Sequence, residues 1–545
     1  MYSWFEPLRR IGPFPFLPFR LPGLHTMQPS RSATLLAVLL IGLLALIPTS
    51  AYAQDSPHIV YILADDFGFS DVQVNNPDSK IPTPNLNQLA KQGRNFTNAH
   101  STSAVCTPTR YGILTGRYNW RSDLKDGVLW GFDKPLIDAD RMTVASLLSN
   151  NGYFTAVVGK WHLGLGWQGK DLTKKLTAGP TTIGFDHSYI FPNSGDIPPY
   201  VFVSNLETVG EDFEQVSGNG FGAGRSGPAR TGLQAEDILP EQTKEAVRVI
   251  RKHGAQRDGQ RLFLYFPLTA PHKPVAPAKP FQGETSMGKY GDFVHQVDWT
   301  VGKVMDALQQ AGMAENTLLV FTGDNGASPN AARSAIKKGH KPHVPFRGGK
   351  SHAWEGGHRE PFIVRWPAQV KGGTETNKLI STADLMATAA DLVNVELPDD
   401  AGEDSRSFLP LLQENVQDVQ VRTSAVYHSQ AGHFAIQMGK WKLITVKNGG
   451  GWAGESAFGL PPHPIDKDMP MQLYNIKKDP KEHNNLYNKR PKVVKKLKQE
   501  LIKQVNYGRS TPGEPQPNDG GYWGQLNKFM SKDQYRNQEL VADDN

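Results

Sequence analysis

The sequence predicts an α/β protein: a large, mixed but mostly parallel sheet flanked by helices, with a smaller C-terminal α+β domain built on a short antiparallel sheet. Three observations carry this expectation. Short apolar, β-branched runs of the kind that fill buried parallel strands alternate with segments of helical period. Four of those runs end in residues that bind cations or anions, and open parallel sheets build their sites beyond the carboxyl ends of their strands. After about Arg422 the runs become short and closely spaced, as in an antiparallel sheet.

The first strand is His58–Leu63 (HIVYIL), which leads into Asp65-Asp66. Asn85–Gln92 reads as a helix with Pro84 at its entry, and Tyr111–Arg117 as a helical segment following Cys106. Thr143–Asn150 is a helix stopped by Gly152; the strand Thr155–Gly159 then delivers Lys160-Trp161-His162. Leu262–Phe266 (LFLYF) leads to Thr269-Ala270-Pro271-His272. Asp292–Gln310 is the longest helix, with Phe293, Val297, Val301, Val304 and Leu308 on one face. Thr317–Thr322 (TLLVFT) ends in Asp324-Asn325-Gly326, and Pro361–Arg365 is a fifth strand, preceded by Gly348-Gly349-Lys350. In the C-terminal part, Ala425–His428, Phe434–Met438, Lys440–Val446 and Gln472–Ile476 are strands, and Pro491–Val505 is a Lys-rich helix with a solvated face. Lys170–Gly179, Asn205–Gly232 and Gly449–Pro464 read as loops. No internal repeat is visible.

Residues 1–53 read as an N-terminal extension and signal peptide. Ala33–Ile47 is an apolar run with Arg31 on its N-terminal side, and Ala51-Tyr52-Ala53 is a small-x-small cleavage site. The run is short for a membrane span, so a periplasmic or secreted protein, not stably inserted in a membrane after cleavage near Ala53, is expected. Met27 would give a leader of ordinary length. The mature chain then divides into a catalytic domain, 54–421, a C-terminal antiparallel-sheet domain with a helix, 422–510, and a polar, partly disordered tail, 511–545. Export permits disulfides, yet the chain has one cysteine in 545 residues, so stability must come from core burial. The formal charge of +6 falls to +3 once the four Arg and one Glu of residues 1–53 are removed. That excludes a nucleic-acid footprint and is compatible with local positive charge in an anion-binding cleft.

The chemistry gathers around that cysteine. Cys106 opens the run Cys-Thr-Pro-Thr-Arg, is approached by Ser101, Thr102 and Ser103, and sits at a helix N-terminus, which favours anions. Arg110 lies one helical turn on, on the same face. Asp65-Asp66 and Asp324-Asn325 each close a strand. Either pair alone also fits an ordinary turn; together they make a hard, all-oxygen ligand set suited to Ca²⁺ or Mg²⁺ and not to Zn²⁺. Lys160 and His162, on an extended segment, point to one side. His272 stands between two prolines, and Lys350 follows Arg347-Gly348-Gly349. His343, His352, His358, His428 and His433 are assigned structural places.

Cys106-x-Pro-x-Arg110 followed by Leu114-Thr-Gly-Arg117 resembles the signature of the type I formylglycine-dependent sulfatases, the arylsulfatase-like branch of the alkaline phosphatase superfamily. Gly159-Lys-Trp-His-Leu-Gly164, Pro271-His272 and Gly349-Lys350 with Glu355-Gly-Gly-x-Arg-x-Pro361 match further family positions, in order. Arg406–Leu411, Leu473–Ile476, Asp479-Pro480 and Glu482–Leu486 extend the likeness over most of the mature chain. The resemblance implies that a formylglycine-generating maturation enzyme oxidises Cys106 to 3-oxoalanine. It also implies that Asp65, Asp66, Asp324, Asn325 and modified Cys106 hold a divalent cation. Cys106, Arg110, Lys160, His162, His272 and Lys350 would be catalytic; Lys160, His272, Lys350 and Ser194, in Pro-Asn-Ser-Gly-Asp, would bind substrate. The implied activity is hydrolysis of sulfate esters of a sulfated carbohydrate, as in polysaccharide degradation. One hydroxyl of the aldehyde hydrate attacks sulfur, His272 protonates the departing alcohol, and His162 takes the proton that lets sulfate go. Two other readings stay open: a phosphonate or phosphate diester hydrolase of the same superfamily, and a catalytically silent glycan-binding protein. The latter would be expected to lose Cys106 or the Asp pairs, and this chain keeps both.

Overall fold

Alternate residues of the first strand enter different cores. Ile59, Tyr61 and Leu63 pack on one side of the sheet with Ile113, Leu114, Val144, Leu148 and Met386. Val60, Ile62 and Ala64 pack on the other with Leu86, Leu89, Val249, Phe293, Val297 and Val301. A strand covered on both faces has no use for polar alternation, which is why HIVYIL reads as a continuous apolar run. The structure is a computed structural model and describes residues 56–536 except 219, 220, 223, 257, 258, 466 and 467. The expected signal segment, 1–53, lies outside the described residues.

In chain order the strands are β1 (His58–Ala64), β2 (Arg94–His100), β3 (Tyr153–Lys160), β4 (His187–Phe191), β5 (Val203–Ser204), β6 (Glu207–Thr208), β7 (Phe213–Val216), β8 (Gly227–Arg230), β9 (Arg261–Pro267), β10 (Thr317–Gly323), β11 (Arg359–Arg365), β12 (Thr374–Thr376), β13 (Ile380–Ser381), β14 (Ser424–His428), β15 (Phe434–Met438), β16 (Trp441–Ile444) and β17 (Gln472–Asn475). The large sheet runs β12-β2-β11-β10-β1-β9-β3-β4-β5-β6, with β13 also on β2. Its centre, β10-β1-β9-β3-β4, is parallel, and antiparallel strands flank it on both sides. The expected mixed, mostly parallel sheet is therefore found. Because β11 runs antiparallel to β10, its beginning lies at the carboxyl end of the parallel strands. That is why Lys350 precedes its strand whereas the other site residues follow theirs.

The smaller sheet, β14-β15-β16-β17, is antiparallel throughout. The helix Pro491–Tyr507 covers one face through Val494, Leu497, Leu501 and Val505, and Tyr118 and Trp120 enter the same core. Three expectations need correction. The helix placed at Tyr111–Arg117 begins at Cys106 and ends at Thr115. The loop expected over Asn205–Gly232 contains the hairpin β7–β8. The expected polar tail from Thr511 buries Leu526, Phe529 and Met530 in the small-sheet core. Three apolar side chains spaced along a polar stretch were enough to pin it. The helix Ile238–Gln256 and strand β2 were not foreseen.

Candidate active site

The parallel register of β1 and β10 pairs Ala64 with Gly323, so Asp65-Asp66 and Asp324-Asn325 leave the sheet side by side. Asp66 takes a left-handed backbone conformation, φ 60°, and its N–H donates to Asp324 Oδ1 at 3.0 Å. A non-glycine residue in that region costs about 1–3 kcal/mol, and here the turn brings the Asp66 carboxylate back over the site. All four side chains are fully buried.

Cys106 is the first residue of its helix, with Val105 as N-cap. Pro108 fits the first turn, where no intrahelical N–H donor is required. Gly116 stops the helix at φ 64°, where a Cβ would meet that of Met386 at 2.7 Å. The thiol lies 3.6 Å from Asp65 Oδ1 and 3.4 Å from Lys350 Nζ. Burial pushes its pKa up to about 12, against the pull of Lys160 and Lys350. An unmodified thiol in this setting is protonated at neutral pH and a poor nucleophile.

Three cations face three carboxylates around it. Arg110 donates from Nε and Nη2 to Asp324 Oδ2, at 3.1 and 2.7 Å, and from Nη1 to the Lys160 carbonyl at 3.0 Å. Lys160 Nζ bridges both oxygens of Asp65 at 2.9 and 2.8 Å. Lys350 Nζ donates to Asp66 Oδ1 at 2.5 Å. Burial works against ionisation of Asp65, but Lys160, His272 and Arg110 outweigh it and hold the carboxyl below its usual range.

Two buried oxygens remain bare. Asn325 turns its amide nitrogen to Asp66 Oδ1 at 2.7 Å, which leaves Asn325 Oδ1 and Asp66 Oδ2 without a hydrogen-bond partner. Ligand atoms of Asp65, Asp66, Cys106 and His272 all lie within 4.8 Å of one another. Buried oxygens that no donor satisfies, converging with further carboxylate oxygens, fit a hard divalent cation.

The two histidines differ. His162 was expected on an extended segment; instead β3 ends at Lys160 and His162 has φ 59°. The ring still reaches the cleft. Its Nε2 donates to the Leu129 carbonyl at 2.9 Å, which leaves Nδ1 buried without a partner. Burial first, then Lys160 and Arg110, lower its pKa well below the usual value. It is therefore a neutral ring with a free lone pair. His272 donates from Nδ1 to the Lys273 carbonyl at 2.7 Å and presents Nε2 3.5 Å from Asp66 Oδ2.

Cys106, His162, Ser194, His272 and Lys350 line one cleft of about 540 Å³, with Arg110, Lys160 and the metal-type ligands beneath it. The structure thus brings together every predicted site residue. None of His343, His352, His358, His428 and His433 lines that cleft.

Sequence reasoning missed two carboxyls. Asp196, two residues after Ser194, lines the cleft beside His272; its place in Pro-Asn-Ser-Gly-Asp was the available signal. Glu360 lies behind Asp324, accepts from Ser101 Oγ at 3.1 Å, and is driven well above the usual carboxyl range by burial and then by Asp324. A second cluster, His100, Glu355 and His358, also has metal-like spacing. Lys442 Nζ occupies it, 2.9 Å from Glu355 Oε1, 3.0 Å from His358 Nε2 and 3.0 Å from Glu482 Oε1. That ammonium serves as a built-in cation joining the two sheets.

A family model described as Sulfatase matches residues 57–395, and one described as N-sulphoglucosamine sulphohydrolase, C-terminal, matches 349–452. An N-acetylgalactosamine-6-O-sulfatase of Bacteroides thetaiotaomicron is 35% identical over 496 residues, covering 83% of this chain and 93% of that protein. Human arylsulfatase A is 32% identical over 478 residues, covering 85% and 90%. A solved structure concerned with metabolism of multiple glycosaminoglycans by Bacteroides thetaiotaomicron aligns with a TM-score of 0.72 at 33% identity, covering 83% of this chain and 99% of that one. A phosphonate monoester hydrolase from Silicibacter pomeroyi shares 16% identity at a TM-score of 0.55, a likeness of fold alone.

Proposed function

Since the chain belongs to the sulfatase family, we propose that it removes the sulfate ester from a sulfated carbohydrate, with 6-O-sulfated N-acetylgalactosamine as the first substrate to test. The observation that carries the chemistry is the position of Cys106 Sγ, at the floor of the cleft between Asp65 and Lys350. The named activities of the relatives support the sugar.

Asp65, Asp66, Asp324 and Asn325 would hold a Ca²⁺ or Mg²⁺ ion, together with residue 106, and the cation would supply fixed positive charge to the sulfuryl oxygens. Oxidised to 3-oxoalanine, residue 106 would offer in its hydrate one hydroxyl to attack sulfur and a second that allows sulfate to leave. A maturation enzyme must supply that oxidation. Lys350 from the cleft lining and Lys160 from beneath it would neutralise the sulfuryl oxygens. Arg110 holds Asp324 and the Lys160 carbonyl in place. His272, fixed by its bond to the Lys273 carbonyl, would present Nε2 to protonate the leaving alcohol. His162, neutral and open at Nδ1, suits the removal of a proton at residue 106. Ser194, which lines the same cleft, would contact the sulfate. The apolar run and cleavage site before Gln54 support export, and among the described residues no helix is long and apolar enough to cross a membrane.

The test is release of inorganic sulfate from the 6-sulfate and 4-sulfate of N-acetylgalactosamine, beside turnover of nitrophenyl sulfate and a bis-nitrophenyl phosphate. Preference for the 6-sulfate over the 4-sulfate, with sulfate ester turnover exceeding phosphodiester turnover, supports the proposal. Faster turnover of the phosphodiester than of every sulfate would overturn it.

A further inference from the structure

One wall of the cleft carries a negative charge that sulfate chemistry does not call for. The Asp196 carboxylate is 2% exposed and lines the cleft. Its Oδ2 is held by Arg225 Nη1 at 2.5 Å and Lys273 Nζ at 3.0 Å. Arg225 also donates to the Asp196 carbonyl at 3.1 Å and lies over the ring of Trp130, 4.6 Å from its centroid. One oxygen is thus pinned by two cations, one of them braced on an aromatic ring. The other, Oδ1, is buried and has no hydrogen-bond partner.

The obvious role for Oδ1 would be to orient His272, but the distances exclude it. Oδ1 is 3.7 Å from His272 Nδ1, beyond hydrogen-bond range, and that ring N–H is already donated to the Lys273 carbonyl at 2.7 Å. Nor does a carboxylate suit the sulfate itself, since like charges repel. His272 first, then Lys273 and Arg225, hold Asp196 below the usual carboxylate range despite its burial, and with Arg225 and Lys273 both on Oδ2 it stays an acceptor with no proton to give. What satisfies such an atom is a hydroxyl donor from the substrate's alcohol portion.

Building on the sulfated-sugar reading, we propose that Asp196 Oδ1 accepts a hydrogen bond from a free ring hydroxyl of the sulfated sugar, and so selects the sugar rather than the ester. Sites built to pair with a substrate hydroxyl discriminate strongly against its absence, because the buried group is then left unpaired.

The experiment uses the full-length matured enzyme with Asp196→Ala and Asp196→Asn. Substrates are N-acetylgalactosamine 6-sulfate, its 3-deoxy and 4-deoxy analogues, and nitrophenyl sulfate. The expected result is a fall of roughly 10- to 100-fold in kcat/KM on the sulfated sugar for Asp196→Ala, with a much smaller fall on nitrophenyl sulfate. One deoxy analogue should lose a similar factor on the unmutated enzyme and little more on the variant. If the losses from the variant and from both analogues multiply, Asp196 does not contact either hydroxyl and the inference falls. It falls as well if the sugar and aryl sulfates lose activity equally with a displaced pH profile, for then Asp196 acts through His272. Asp196→Asn, close in shape, carries the comparison if the alanine variant fails to fold. Absence of turnover on the unmodified sugar by the unmutated enzyme would defeat the substrate reading first, and this inference with it.

Discussion

Arg110 places two donors on a single oxygen of Asp324, Nε at 3.1 Å and Nη2 at 2.7 Å from Oδ2. The other oxygen, Oδ1, accepts from the Asp66 backbone at 3.0 Å. One guanidinium therefore ties the Cys106 helix to the end of β10, and through its bond to the Lys160 carbonyl to the end of β3. Asp324 in turn fixes the turn that carries Asp66. Residue 106, the acids that end β1 and β10 and the Lys160 backbone thus share one hydrogen-bonded frame.

The first prediction concerns residue 106. Cys106→Ala and Cys106→Ser should abolish turnover while circular dichroism and melting remain close to those of the parent, since neither yields an aldehyde in a cysteine-dependent maturation. Mass analysis of the active enzyme should find the Cys106 peptide about 18 Da light, the change from thiol to aldehyde. Full activity in Cys106→Ala would defeat the assignment.

Metal removal gives the second. Chelation should eliminate activity, and Ca²⁺ or Mg²⁺ should restore it better than Zn²⁺, because the four unmodified ligands proposed above offer oxygens. Asp324→Ala should weaken cation binding far more than His352→Ala, whose ring packs against Trp354 and Phe458. Elemental analysis showing stoichiometric zinc without calcium or magnesium would refute the ligand set.

A third prediction separates His272 from Lys350. A phenol leaves with little help, whereas a sugar hydroxyl needs a proton. His272→Ala should slow a sulfated sugar about 10²–10⁴-fold and nitrophenyl sulfate far less. Lys350→Ala removes charge from the sulfuryl oxygens and should slow both substrates to a similar degree. The ratio of the two rates in each variant is the measurement; equal losses in His272→Ala would assign the acid to another group.

The fourth is a pH dependence of stability. Burial, and then Glu355 against the pull of Lys442, lifts Glu482 to about 7. A carboxyl raised above its unfolded value of about 4.3 favours the protonated folded state. Its contribution is complete below the unfolded value and disappears as pH rises through about 7. Glu355 is shifted the other way, well below its usual value, so its contribution is fully present above about pH 4.3 and is lost only as pH falls below that. Between about pH 5 and 8 Glu482 therefore opposes the buried histidines, His58, His100, His162, His343 and His358 among them, whose lowered values make stability rise with pH; Glu482→Gln should make the rise of melting temperature with pH steeper. An unchanged slope in the variant would show that another group titrates there.

The legible part of the sequence was the part where one physical cause dominates. β1 and β10 are buried on both faces, so their apolar runs and the acids that end them were visible together. The helix Lys289–Gln310 showed its stripe because one face meets one core. Strand β2, RNFTNAH, has few apolar residues, and its Arg94 is buried by bonds to the carbonyls of Leu411 and Gln413, some 317 and 319 residues away; no local pattern records that. Asp196 was hidden for a related reason. What distinguishes it is its partners, Arg225 and Lys273, and both come from loops that only the fold brings to it.

The clamp on the Cys106 loop closes late. Ala104 accepts from the Ser351 backbone N–H at 2.8 Å and donates to the His428 carbonyl at 3.0 Å, and Ser103 Oγ reaches that same carbonyl 325 residues further along the chain. At ordinary synthesis rates that length takes on the order of tens of seconds to emerge. Until Ser351 emerges the thiol segment has neither of its outer braces, and until His428 emerges it still lacks the second; once both are in place Cys106 is 2% exposed. The oxidising enzyme proposed above, if it had to grip the segment around Cys106, would work against a clock set by translation. Slowing or truncating the chain before His428 would lengthen its opportunity, and rapid closure would leave a fraction of folded molecules that keep an unconverted thiol.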